Sequence, residues 1–196
     1  MKAKKFFSAL LIFAFAFLTF TTGEAAMLRK GKISSSSAQT PQLNRPVLPK
    51  TGDIAVIVEG PDPQHNAIAE AMIIEELTSN GYRVVDEARM KRIRAAAARA
   101  QAARYALEGN VEGLLKINGT YNATATIVAS VRAGFPEPNE FRLYTGTASA
   151  AMVAVTSRGV KLGGKTSQGK AVGYTVDEAR ANAITGAVRH GLSLML

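Results

Sequence analysis

The chain predicts an α/β fold, a mixed sheet covered by helices, with α+β as the near alternative. Three observations carry this. An uninterrupted apolar run, Ile54-Ala55-Val56-Ile57-Val58, fits a strand buried on both faces. Strand and helix patterns then alternate up to about residue 117, the rhythm of a parallel crossover unit. From Asn122 the period falls to two, and two further strand-like stretches, one rich in Thr, Ala and Val and one glycine-laden, follow it, which reads as an antiparallel meander. The predicted order is strand, helix, strand, helix, three strands, helix.

Each element has local grounds. Pro61-Asp62-Pro63 breaks the first strand, and a helix follows from about Gln64 to Ser79, stopped by Asn80-Gly81, a left-handed exit. Tyr82 to Val85 is a short strand. Asp86 can cap the next helix, which runs from Glu87 to about Ala106, where Gly109-Asn110 interrupts. Val111 to Ile117 is expected to add a short helical turn or two. Ala123, Ala125, Ile127, Ala129 and Val131 alternate with more polar neighbours, which predicts a strand with one face much drier than the other. Pro136 to Glu140 is a loop. Arg142 to Thr156 and Val160 to Val172 are long strands joined by Ser157-Arg158-Gly159. Thr175-Val176-Asp177-Glu178 has capping-box spacing and starts the last helix. Val176, Ala179, Ala183, Ala187 and Leu194 are expected on its buried face, and small side chains let it sit close on the sheet.

The amino terminus reads as an address. Lys2, Lys4 and Lys5 precede an apolar stretch from Phe6 to Phe20, and Gly23-Glu24-Ala25-Ala26 supplies small residues for cleavage after Ala25. The apolar stretch is about 15 residues, short of the roughly 20 that a spanning helix needs. Residues 1–25 are therefore expected to be a secretory signal peptide and the location a bacterial periplasm. Residues 26–51, with four serines in a row and Pro41, Pro46 and Pro49, read as a flexible linker. Residues 52–196 are expected to form a single domain.

Composition narrows the function. The 196 residues carry a formal charge of +9 and no cysteine. Disulfides, thiolate metal sites, cysteine nucleophiles and a lipid-bearing cysteine are excluded. Only His65 and His190 supply imidazole, neither has a metal partner nearby in sequence, and no cofactor is expected. Asp62, Asp86, Asp177 and Glu178 fit capping positions, so acid–base catalysis is not needed to explain them. Gly159 to Thr166 matches a phosphate-binding loop, but the residues that follow make a poor helix, and such a loop needs a helix amino terminus. No nucleotide is expected there. The residues from Arg89 to Arg104 include six basic side chains and no acid. Arg89, Arg92, Arg94 and Arg99, with Lys161 and Lys165 on the later hairpin, form a candidate docking surface for an anionic partner. Few aromatics interleave with them, and export leaves little opportunity for nucleic acid. No nucleophile, base and orienting group can be assembled, so an enzyme is not expected.

The order and texture of IAVIVEG, GYRVVDEARMKRIR, LEGNVEGLLKINGTYNATATIVASV, the TGTASAAMVAVTSRGVKLGG hairpin and GYTVDEARANAITGAV resemble a known domain family. It is shared by the curli secretion channel protein, the lipoprotein activator of penicillin-binding proteins and the middle domain of flagellar assembly protein T. The resemblance spans roughly residues 52 to 194. It implies a noncatalytic periplasmic adaptor that helps to assemble an envelope or flagellar structure through protein contacts, including self-association. The missing acylated cysteine and pore hairpins bring this chain nearest to the soluble flagellar type. The alternative is a binding module for an anionic cell-wall polymer or lipid surface.

Overall fold

In the computed structural model, residues 47–196 are described, and the leader reading lies outside them. Eleven elements follow one another: β1 Asp53–Glu59, α1 Pro63–Ser79, β2 Arg83–Val84, α2 Glu87–Arg99, α3 Ala102–Glu108, α4 Glu112–Tyr121, β3 Ala125–Ala133, β4 Glu137–Pro138, β5 Tyr144–Thr156, β6 Lys161–Gly173 and α5 Val176–Ser193. The α/β class and the predicted order hold, with three added elements, α3, α4 and β4. The expected helix from Glu87 breaks at Gln101, whose φ of +48° is left-handed, so α3 leaves at a new angle. The expected turn after Val111 is a full helix, α4, ending at left-handed Asn122. The loop at Pro136–Glu140 contains the two-residue β4.

The strands form one mixed sheet in the order β2-β1-β3-β5, with β6 and the short β4 both pairing with β5. β1 is parallel to β2 and β3; β3, β5 and β6 are successively antiparallel. The parallel crossover and the meander are thus both present in one sheet.

Side-chain contacts place the helices on two faces. Ser167 of β6 donates to the Ala187 carbonyl of α5 at 2.7 Å, and α1 packs beside α5, so these two cover one face. Asn118 of α4 donates from Nδ2 to the Val155 carbonyl of β5 at 3.0 Å, and its Oδ1 accepts from Thr126 of β3 at 2.5 Å. α4, with α2 and α3, therefore covers the other face. That layer reaches only part of the sheet. Val128, Val153 and Val155 lie buried beneath it, whereas on the same face Arg132, Thr147, Gln168 and Lys170 are exposed. The expectation of one dry face on the 123–131 strand is corrected: most of β3 is buried on both faces, because α3 and α4 cover its polar-looking side.

β6 approaches α5 closely. A Cβ at Gly169 would stand 2.1 Å from the Ala183 carbonyl oxygen, so only glycine fits. Gly163 and Gly164, with φ of +76° and +101°, accompany a shift in the β5–β6 register between Ala151 and Val153. A bulge at that place is what the glycines of the phosphate-loop look-alike serve. On α5, Ala179, Ala183 and Ala187 are buried as expected, joined by Ile184, Val188 and Leu192. Val176 is only half-buried, and Leu194 and His190 are exposed.

The linker reading of 26–51 overruns the packed chain. Leu48 is buried, its N–H donates to the Met195 carbonyl at 3.1 Å, and Lys50 lies 4.1 Å from the centre of the Tyr82 ring. An isolated apolar residue gives no periodicity from which docking could be read.

Candidate docking surface

The helix starts are built as the sequence implies. Asp62 accepts from the Gln64 N–H at 2.8 Å and Asp86 from the Arg89 N–H at 2.9 Å. These backbone donors hold both carboxyls below the usual aspartate range. Thr175 accepts from the Glu178 N–H at 3.1 Å, and Glu178 reaches back one residue further than a standard capping box, to the Tyr174 N–H at 2.8 Å.

The six basic candidates separate into different environments. Arg89 is ion-paired with Asp53 of β1, and its Nε lies 3.6 Å from Asp86. Arg94 is ion-paired with Glu70 of α1, and its Nη1 lies 3.4 Å from Glu87. Both guanidiniums are mostly covered, so they tie α2 to its neighbours. The acids that neutralise them come from distant parts of the chain or precede the helix's basic run, which the local sequence does not reveal. Burial raises the pKa of Glu70, and Arg94 opposes that rise only in part.

Arg92 and Arg99 are exposed on the outer side of α2, and neither is in an ion pair among the described residues. Their Nε groups point to carbonyls of their own helix, Ala88 at 3.4 Å and Ala95 at 3.2 Å. Lys161 is exposed at the start of β6, with its Nζ close to Gly109 at the end of α3. Carbonyls left free at a helix end favour a cation there. Lys165 is in the same strand. The eight residues of the phosphate-loop look-alike are a turn and the first part of β6, so the chain continues as strand and not as helix directly after them.

One feature escaped the sequence reading, and a second, a sheet edge on the two long strands, was legible only as a candidate whose pairing order the sequence left open. The first is a set of exposed aromatics at the opposite end of the β5–β6 hairpin. Phe135, Phe141 and Tyr174 are 78%, 74% and 80% exposed, on three separate segments. Each backbone is pinned. Asn139 Oδ1 accepts from the N–H groups of Phe141 and Leu143, while Arg142 sits left-handed at φ +59°. Gly134 donates to the Thr147 carbonyl at 2.9 Å just before Phe135, and Glu178 holds the Tyr174 N–H. Their turn neighbours, Gly134, Asn139 and Gly173, were the available signal. The second feature is β6 itself: thirteen residues paired only with β5 among the described residues, leaving its outer edge open.

Among the described residues, no three His, Asp or Glu side chains gather where they could hold a metal ion, and no helix is long and apolar enough to cross a membrane. Asn118 is buried and fully engaged in the core.

No protein-family model matches the chain, and no curated protein matches it. Solved structures do. The lipoprotein GNA1162 from Neisseria meningitidis aligns at 17% identity over 73% of this chain and 99% of its own, with a TM-score of 0.42. The PelC dodecamer from Paraburkholderia phytofirmans aligns at 13% identity over 77% and 91%, with a TM-score of 0.45. A minor lipoprotein from Acinetobacter baumannii aligns at 10% identity over 69% and 87%, with a TM-score of 0.34. Two of these three are bacterial lipoproteins by name.

Proposed function

We propose that this chain is a noncatalytic accessory protein of the bacterial cell envelope, exported to the periplasm, that helps to assemble an envelope or flagellar structure through protein contacts. The observation that carries the reading is the aromatic end. Large apolar side chains held in water by fixed turns have no role in the fold of their own domain, and such surface is typical of a contact site. The open β6 edge supports the same reading, because its free backbone groups can accept a strand from a partner or a second copy.

A photo-crosslinking residue placed at Phe141 or Tyr174 in intact cells tests this, with Lys91 on α2 as the control position. The expected result is one defined envelope or flagellar protein, or a second copy, captured from the aromatic positions and retained at high salt. Capture from Lys91 alone, or from neither aromatic position, overturns the reading.

One observation favours the second reading, an anionic-polymer or lipid-surface module: Arg92 and Arg99 stay exposed and unneutralised. Binding through them is dominated by exposed charge and collapses between low and physiological salt, since the screening length there is about 8–10 Å. Arg92→Glu with Arg99→Glu abolishes it while leaving the fold intact.

A further inference from the structure

The face of the sheet left bare by α2–α4 is not a flat solvated surface. Two open grooves lie on it, of about 590 and 730 Å3, and both are lined by Arg132. The first runs over β3, β5 and β6, past Thr147, Ser149, Gln168 and Lys170. The second continues past Ser130 to the carboxyl end of β1, with α3 as its wall. Register explains the lining. Arg132 pairs with Ser149, Ser149 with Gln168, and Thr147 with Lys170, so these side chains alternate onto one face.

The first groove is lined by two cations and no acid. Arg132 and Lys170 belong to no ion pair among the described residues, although six other arginines are paired. Two strands and two residues separate them, roughly 12 Å between backbones at usual sheet spacings. Between them stand only hydroxyls and an amide, groups that donate to and accept from sugar hydroxyls. Acids enter the second groove at Glu59 and Glu108, and Glu108 is taken by Arg104 at 3.1 Å. The groove thus offers separated cations joined by a polar, nonaromatic floor.

We propose that this groove binds a carboxylate-bearing glycan, with Arg132 and Lys170 each holding a carboxylate and Thr147, Ser149 and Gln168 meeting the hydroxyls between them. An acidic peptide fits less well, because a peptide gains most from backbone pairing, and the free backbone lies at the β6 edge instead. This site is separate from the aromatic end and from Arg92 and Arg99, so it stands or falls independently of the assembly reading.

The test is titration of the purified protein with oligogalacturonate, its methyl-esterified form and a glutamate oligopeptide, followed by calorimetry and by backbone NMR shifts. The expected result is binding of the acid form alone, with shifts confined to residues 130–132, 147–149 and 168–170. Arg132→Ala and Lys170→Ala should each weaken it about tenfold, the usual scale for a lost charge-assisted bond. Arg92→Ala with Arg99→Ala should leave it unchanged. No binding of the acid form, equal binding of the ester or the peptide, or a loss that follows the α2 pair, overturns the proposal. Because all four side chains are exposed, circular dichroism should show each variant folded.

Discussion

The two halves of the sheet solve the burial problem differently. Where β1, β3 and the second half of β5 lie between helices, both faces are apolar: Ile54, Val56 and Ile127 on one side, Ile57, Val128 and Val153 on the other. Where β6 and the first half of β5 have helices on one face only, the covered side is Ala148, Ala150, Ser167 and Gly169, and the bare side is Thr147, Ser149, Gln168 and Lys170. The covered half gains stability from large side chains. The half-bare part gains it from close approach of α5, whose alanines meet glycines. Charge divides the same way: Asp53 and Glu70 neutralise Arg89 and Arg94 within the covered half, while Arg132 and Lys170 are unpaired among the described residues.

The largest effect should come from the covered half. Ile57→Ala removes a buried side chain beneath the three-helix layer and should cost about 2–5 kcal/mol, transfer and cavity terms together. Thr147→Ala, on the same face of the sheet but outside that layer, should stay within about 0.5 kcal/mol. Urea unfolding of both variants measures the contrast. Equal losses would mean that the bare face is covered in solution.

A smaller loss is expected where packing depends on absence of a side chain. Gly169→Ala should cost about 1–3 kcal/mol through overpacking. Its new Cβ would meet the backbone oxygen of Ala183, so trimming Ala183 to glycine gives no relief. Thermal unfolding of the single and double variants checks this. Recovery in the double variant would show that side chains, not the backbone, set the distance between α5 and the sheet.

These contrasts explain what was legible in the chain. Ile54 to Val58 displayed double burial directly, since every position is apolar. Thr126 and Asn122 looked like polar positions of an alternating strand, yet Thr126 is buried because Asn118 of α4 satisfies its hydroxyl. That pairing is tertiary and leaves no period. The break at Gln101 was hidden by an alanine-rich run whose helix propensity favours continuing. Arg92 and Arg99 were legible as a basic flank. The pairing of Arg89 and Arg94 was not, because their main partners, Asp53 and Glu70, belong to β1 and α1. The aromatic end was missed for the same reason. Tyr174 comes long after Phe135 and Phe141 in the chain, and only the antiparallel register brings them to one end of the sheet.

The smallest expected effect is electrostatic, and its sign can be worked out. Glu70 is half-buried between α1 and α2, and burial raises its pKa above the usual 4.5 in spite of Arg94. The folded state therefore holds this proton more tightly than the unfolded state. As pH falls from neutral through the raised pKa toward 4.5, protonation of Glu70 adds stability, and as pH rises again that contribution is lost. Asp62 and Asp86 act in the other direction and in a lower window. Their pKa values are depressed below 3.8, so their contribution is present above 3.8 and lost as pH falls through the folded values. Glu70→Gln should remove only the upper slope. The variant should change stability at pH 7 by less than about 1 kcal/mol, since the pair is partly solvated and Glu87 remains beside Arg94. Its stability relative to the parent should fall as pH drops from 7 to 4.5, while the acid limb below 3.8 stays in place. Urea midpoints from pH 3 to 7 measure both limbs. A parent that is steadily less stable from pH 7 down to 4.5, with the slope abolished by Glu70→Gln, would mean that the Arg94 pair outweighs burial and that the covered half holds its charges by attraction.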